Sequence, residues 1–151
     1  MEVNKKSDIL KKWTILGDLK VFNLTLERLV EDADGLTLFM NAENEFEDVL
    51  NIKLNFENYL AYRNTAERYM WKIWSENPRE ILGYHFYITD NSSYVKYIKE
   101  MSLSAYDDED ISHYCIYALF DCVDILTPPM PNISFSVINK NDDISGRSVN
   151  L

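Results

Sequence analysis

Alternation of apolar and polar residues at every second position dominates the chain. In NIKLNFENYLAY, the residues Ile52, Leu54 and Phe56 alternate with polar neighbours, which is the period of a strand with one solvated face. Similar alternation occurs in LKVFNLTLE, ILGYHFYITD and NISFSVIN, and DADG at positions 32–35 has the composition of a turn. The pattern therefore predicts a protein built mainly from β-strands.

Two segments depart from simple alternation. In NSSYVKYIKEM the apolar residues recur three and four positions apart behind Asn91 or Ser92, which predicts a capped amphipathic helix. NTAERYMWKIWSENP is ambiguous, because Asn64 with Glu67 resembles a helix cap whereas its aromatic residues alternate as in a strand. Its aromatic content and β-rich surroundings favour a strand.

Together these elements predict an α+β fold, a bent antiparallel sheet or incomplete barrel of about six to eight strands with one or two helices. No linker or repeat interrupts residues 17–138, which we expect to form a single globular domain. Residues 1–16 are expected to form an N-terminal arm or short helix, and residues 139–151 a flexible C-terminal tail.

Charge and composition restrict the class of protein. The 151 residues carry 25 acidic and 15 basic side chains, a net charge of −10, and this negative field opposes binding to nucleic-acid phosphates. No apolar stretch approaches the roughly 20 residues that a membrane span needs, and the amino terminus lacks the apolar core of a secretory signal. We therefore expect a cytoplasmic protein that binds neither nucleic acid nor membrane and keeps its cysteines as thiols.

The most chemically varied stretch is SHYCIYALFDCVDIL, at positions 112–126. It contains a histidine, both cysteines and two aspartates, and the candidates among them are His113, Cys115, Cys122 and Asp124. His113 and Cys115 lie two positions apart, as do Cys122 and Asp124. This is the interval of neighbours on one strand face, and it is shorter than the intervals of structural zinc ligands. A turn near Phe120 would return the chain as a second strand. We expect a core hairpin without a bound metal or cofactor, and the spacing leaves open whether the polar side chains meet across the turn.

His85, in GYHFYI, is the second histidine. We expect a hydrogen-bonded strand histidine, because no nearby arrangement of Ser, Cys or Lys suggests a nucleophile. As a candidate base it joins the hairpin residues in the alternative chemical site, which comprises His85, His113, Cys115, Cys122 and Asp124.

Two acidic segments are candidate binding surfaces. ENEFED surrounds Phe46 with four carboxylates, those of Glu43, Glu45, Glu47 and Asp48. In YDDED, four further carboxylates directly follow the ring of Tyr106, and they belong to Asp107, Asp108, Glu109 and Asp110. Neither has the ligand spacing of an EF-hand loop. With exposed Trp71 and Trp74 as anchors, these segments predict a docking surface for a basic protein.

Residues 83–131 resemble part of a group of small bacterial proteins. The shared features are the strand and capped helix FYITDNSSYVKYIKEMS, the hairpin HYCIYALFDCVDIL and a proline-rich exit. Some of these proteins are similar to immunity proteins encoded beside polymorphic toxins. The resemblance implies an acidic single domain that blocks a toxin by binding to it.

These observations lead to three functional hypotheses. The first is a non-enzymatic protein-binding module, an immunity-type inhibitor whose acidic loops attract a basic toxin or effector. The second is a small enzyme or metal-binding protein that uses the hairpin residues. The third is a phage or operon-specific structural subunit, for which a large homo-oligomer would be expected.

Overall fold

The computed structural model describes residues 6–142 and 148–150, which form two five-stranded antiparallel sheets. Sheet A consists, in spatial order, of β1 (Ile9–Lys12), β6 (Phe86–Asp90), β7 (Ser112–Tyr117), β8 (Asp121–Thr127) and β5 (Ala61–Ala66). Sheet B consists, in spatial order, of β10 (Ser148–Asn150), β9 (Ile133–Asn139), β4 (Val49–Phe56), β3 (Gly35–Glu43) and β2 (Phe22–Asp32).

Sheet B follows the predicted alternation. On its inner face Leu38 of β3 pairs with Leu54 of β4, and Met40 pairs with Ile52; all four side chains are buried. The polar residues between them lie on the other face. This division produces the half-buried antiparallel sheet that the sequence indicated.

The hairpin between β2 and β3 confirms the turn predicted at positions 32–35. Gly35 begins β3 with a φ of +101°, and a Cβ there would lie 2.3 Å from the backbone oxygen of Phe56. β2 is the outer strand, and its register against β3 shifts twice. Asn23 lies within the first shift and has a φ of 53°, a conformation that asparagine tolerates better than most residues.

Sheet A is covered on both faces, which explains the nearly continuous apolar runs of β7 and β8. Ile116 and Ile125 pack into the core shared with sheet B. Cys115, Tyr117 and Cys122 face the opposite side, where residues of the first helix cover them. The molecule therefore has three layers, with sheet A in the middle.

Two helices complete the outer layer: α1 (Trp71–Glu76) and α2 (Ser93–Met101). The Ser92 hydroxyl accepts a 3.0 Å hydrogen bond from the backbone N–H of Val95, so the predicted capped helix is confirmed. Asn77, after α1, accepts a 2.9 Å hydrogen bond from the backbone N–H of Leu10 and thereby fixes β1 against this helix.

The predicted α+β class is confirmed, with the strands divided between two open sheets. Ten strands are present in the described residues, more than the expected six to eight, because β1 and β10 come from segments predicted to be an arm and a tail. No helix in these residues is long and apolar enough to cross a membrane.

Three local predictions need correction. The segment 64–76 was expected to be a strand, but β5 ends at Ala66 and α1 follows after a 3-10 turn at Glu67–Tyr69. The N-terminal segment forms β1 and no helix among its described residues. In the predicted C-terminal tail, residues 148–150 pair with β9, while 143–147 and 151 lie outside the described residues.

Candidate functional site

The β7–β8 hairpin has the predicted turn, since the backbone N–H of Ala118 donates to the carbonyl of Asp121 over 2.8 Å. Its register places Cys115 opposite Asp124. The row continues across sheet A, with Tyr87 beside Cys115 on β6 and Arg63 beside Asp124 on β5. Strand pairing thus aligns a thiol, a carboxylate and a guanidinium on the helix-covered face.

His113, Cys115 and Asp124 converge on this face. The Nε2 of His113 lies 2.7 Å from Oδ1 of Asp124, and Sγ of Cys115 lies 3.2 Å from each of these two atoms. The three donor atoms therefore form a compact triangle. This answers the question that the spacing left open.

A second ring of partners holds the triangle. Ser92 Oγ lies 2.6 Å from Nδ1 of His113, Thr89 Oγ1 lies 2.9 Å from Sγ of Cys115, and Arg63 Nε donates to Oδ2 of Asp124 over 3.0 Å. We call these six residues the polar cluster: Arg63, Thr89, Ser92, His113, Cys115 and Asp124.

Every polar atom of the triangle can be satisfied within the cluster. Because Ser92 Oγ already accepts from Val95, its own proton can be donated to Nδ1 of His113, which leaves Nε2–H to donate to Asp124. The thiol of Cys115 can donate to the same carboxylate. The cluster therefore links β7, β8 and the start of α2 through a complete hydrogen-bond network.

The environment shifts the pKa values of the acidic groups in opposite directions. Burial raises the pKa of Asp124, but hydrogen bonding to His113 and the charge of Arg63 outweigh it, so the net pKa lies below its ordinary value. Burial, and then the charge of Asp124, raise the pKa of the Cys115 thiol well above its ordinary value. The cluster thus favours a carboxylate beside a protonated thiol.

The hydroxyl, imidazole and carboxylate of Ser92, His113 and Asp124 follow the order of a hydrolytic triad. However, His113 and Asp124 are only 3% and 2% exposed and Cys115 is 0% exposed. The Ser92 hydroxyl is also engaged in capping α2. A substrate carbonyl cannot reach these groups in this conformation, so the arrangement is suited to holding elements together.

The other two members of the predicted chemical site lie outside the triangle. Cys122 pairs with Tyr117 at the turn end of the hairpin and packs in the apolar cluster beneath α1. Burial and the charge of Asp124 raise its pKa to about 12. His85 was expected to lie in a strand, but it immediately precedes β6. Its Nδ1 lies 2.8 Å from the Tyr117 carbonyl oxygen, so the expected hydrogen bond is present.

The first acidic segment forms an ordered turn between β3 and β4. Asn44 accepts hydrogen bonds from the backbone N–H groups of Phe46 and Asp48, and Asp48 accepts from Asn139 on β9. Glu45 and Glu47 point to solvent, and Phe46 is 77% exposed. The turn therefore presents an aromatic ring between two solvated carboxylates.

This turn lies at the same end of the molecule as the tip of the β7–β8 hairpin. Glu43, at the start of the turn, pairs with Phe22 of β2. Two residues further along β2, the Leu24 carbonyl accepts a 2.8 Å hydrogen bond from the backbone N–H of Leu119 at the hairpin tip. The Phe120 carbonyl in turn accepts from the backbone N–H of Glu67, before α1, over 3.0 Å. Three exposed segments, namely the β3–β4 turn, the hairpin tip and the residues before α1, therefore lie at the same end of the molecule.

We call this end of the molecule the aromatic end. Its exposed apolar side chains come from the three segments and from the first residues of β2 and α1: Phe22, Phe46, Tyr69, Trp71, Leu119 and Phe120. Trp71 is 76% exposed and Phe120 is 73% exposed. A cleft of about 400 Å³, lined by residues 16–22 and 83–85, shares Phe22 with this end.

The second acidic segment lies away from the aromatic end. Residues 107–110 precede the first residue of β7, whereas the hairpin tip follows its last residue, so the length of β7, roughly 17 Å, separates them. Tyr106 and its four acidic neighbours are all exposed. Trp74 was predicted to be an exposed anchor, but it is half-buried and stacks edge to face on Tyr117.

Several residues that form these sites were not singled out by the sequence. Thr89, Arg63 and the second role of Ser92 depend on which strands are neighbours, and no local pattern carries that information. Phe120 had a signal, because an aromatic residue beside a turn is a candidate for exposure, whereas Tyr69 had none, because its segment was expected to be a strand. No protein-family model matches the chain, and neither a curated protein nor a solved structure matches it.

Proposed function

We propose that the protein is a non-enzymatic binding module for a basic protein, acting as an immunity-type inhibitor that occludes a toxin. The observation that carries this proposal is the aromatic end, where exposed rings and carboxylates occur together. Large exposed rings rimmed by polar groups are characteristic of protein-binding surfaces.

The aromatic end has the composition of an energetic centre for binding. Trp and Tyr dominate the residues whose loss weakens interfaces most, and this end presents Trp71 and Tyr69 beside Phe120. The neighbouring cleft offers a concave site for one side chain of the partner. The rings would supply affinity and the cleft would supply shape specificity.

Charge selects a basic partner. The chain carries a net charge of −10, and Glu45, Glu47 and Glu67 are exposed at the aromatic end. Such a field accelerates association with a positively charged protein and repels an acidic one. Added salt should therefore slow association more than it accelerates dissociation.

Burial of the polar cluster supports a non-enzymatic role. Its histidine, thiol and carboxylate have the residue types that catalysis uses, but they lie under α2 and are closed to a substrate. The exposed surface of the molecule instead offers rings and carboxylates, which bind without changing a partner covalently.

The test uses the product of the adjacent gene, since immunity proteins are encoded beside their toxins. We expect this product to be basic, to inhibit growth when expressed alone and to be neutralised by co-expression of the chain. Calorimetry should then show that Trp71→Ser and Phe120→Ser each weaken binding by about 30-fold or more.

Leu103→Ser and Tyr106→Ser are matched controls, because both residues are exposed in the loop between α2 and β7. These variants should bind within about 3-fold of the wild-type chain. If the two control variants lost as much affinity as Trp71→Ser and Phe120→Ser, the aromatic end would not be the binding site. An adjacent gene product that neither binds the chain nor is neutralised by it would overturn the proposed function.

A further inference from the structure

We propose that Nε2 of His113, Sγ of Cys115 and Oδ1 of Asp124 bind one divalent transition-metal ion, with zinc as the best match. This proposal is independent of the partner proposed above, because the polar cluster lies away from the aromatic end. Among the described residues, these three are the group of histidine, cysteine and acidic side chains whose ligand atoms converge, all within 4.8 Å of one another.

The donor set is suited to zinc. Imidazole nitrogen, thiolate sulfur and carboxylate oxygen are the three ligand types that zinc takes in proteins. Calcium and magnesium prefer oxygen ligands alone, so the nitrogen and sulfur atoms select against them. Zinc has no geometric preference of its own and accepts such a mixed set.

The spacing needs only a small adjustment. Bonds of about 2.0 to 2.3 Å in a tetrahedral centre place the ligand atoms about 3.3 to 3.6 Å apart. The observed separations are 2.7 Å between Nε2 and Oδ1 and 3.2 Å for the other two pairs. Opening the triangle by about half an ångström would let the ion replace the hydrogen bonds inside it.

The second ring of partners is the observation that distinguishes this triangle from an ordinary buried hydrogen-bond group. Each ligand residue has a separate outer partner. Ser92 contacts Nδ1 and Arg63 contacts Oδ2, which leaves Nε2 and Oδ1 directed inward, and Thr89 contacts Sγ itself. Metal-binding histidines and carboxylates are characteristically oriented by such outer contacts.

The charges also balance. One divalent ion with a thiolate, a carboxylate and a neutral imidazole forms a neutral centre. The thiol proton is released to solvent, and the imidazole proton moves from Nε2 to Nδ1, where it is donated to Ser92 Oγ. Arg63 keeps its ion pair with Oδ2, and its side chain is 44% exposed to water.

The test uses the full chain, refolded from urea with one equivalent of Co²⁺ in place of zinc so that the buried site can fill. We expect one bound ion per chain and a near-ultraviolet charge-transfer band from thiolate to cobalt, which zinc then displaces. Cys115→Ala should remove the band and weaken binding by about 100-fold or more. Cys122→Ala is the matched control, since it also removes a buried thiol but should keep the band.

Circular dichroism of each variant establishes whether it is folded, and the wild-type spectrum decides the proposal if Cys115→Ala does not fold. Folded wild-type protein that shows no thiolate band would overturn the proposal. Loss of the band in folded Cys122→Ala would do the same, because that thiol lies outside the triangle.

Discussion

The hydroxyl of Ser92 joins two separate parts of the molecule, since it caps α2 at Val95 and lies 2.6 Å from Nδ1 of His113 on β7. The first link is local in sequence and the second spans 21 positions. One oxygen atom therefore fixes both where the helix begins and how the helix sits on sheet A.

Replacement of Ser92 by alanine should destabilise the fold more than loss of a cap alone. Removing the cap costs about 1 kcal/mol, and leaving the buried Nδ1 of His113 without a partner adds about 1 to 3 kcal/mol. Urea denaturation should show the combined loss. Ser93→Ala is the control, because this neighbour is exposed, and it should change the free energy of unfolding by less than about 0.5 kcal/mol.

Asp124→Asn should destabilise the protein by about 2 to 3 kcal/mol, because it removes a buried charge that His113 and Arg63 both contact. Asp121→Asn is the matched change on the same strand, where the carboxylate accepts from Asn64 at the surface. Its effect should stay below about 1 kcal/mol. Comparable losses in the two variants would contradict a special role for Asp124.

Asp124 should also make the wild-type protein sensitive to acid. Its pKa is lower in the folded than in the unfolded chain. Its contribution to the free energy of unfolding is therefore complete above the unfolded pKa, about 3.9, and is lost as the pH falls through the folded pKa. Urea midpoints between pH 2 and pH 7 measure this loss. Below about pH 4, the urea midpoint of the Asp124→Asn protein should fall less steeply with pH than that of the wild type.

Both cysteines should resist alkylation in the folded protein. Cys122 has a pKa of about 12, so only about one thiol in ten thousand is ionised at pH 8, and burial raises the pKa of Cys115 as well. Mass spectrometry after iodoacetamide treatment at pH 8 should find neither residue modified in buffer and both modified in denaturant. Rapid modification of Cys115 in buffer would show that the polar cluster opens.

Two glycines with positive φ should respond differently to alanine. At Gly35 a Cβ would lie 2.3 Å from the Phe56 carbonyl oxygen, whereas at Gly17 no atom lies within 4 Å. Gly17→Ala carries only the strain of a left-handed backbone, about 1 kcal/mol. Gly35→Ala must also displace β4, so thermal unfolding should show a clearly larger loss of stability for this variant than for Gly17→Ala.

Period-two alternation was sufficient to predict the β7–β8 hairpin, because a residue's face depends only on its position along its own strand. It could not predict that Arg63 lies opposite Asp124, 61 positions away, because this contact depends on which strand becomes the neighbour. The residues of the triangle were therefore named from the sequence, whereas Arg63, Thr89 and the contact of Ser92 with His113 were not.

The segment that became α1 shows a different limit. Aromatic alternation suggested a strand, but the residues that the structure buries or partly buries are Met70, Ile73, Trp74 and Asn77, at helical spacing, while Trp71 is exposed. Both periods are present in a stretch so rich in large apolar residues. Packing against sheet A selected the helical one, and no property of the isolated segment could have done so.

The irregular register of β2 has a consequence for how other chains can approach the molecule. An outer strand with a regular row of free amides invites another chain to extend the sheet, and this is a common route to aggregation. Here two shifts interrupt the row, and the Leu24 carbonyl is already taken by the hairpin tip. This border of sheet B therefore discourages strand addition and leaves recognition to the side chains.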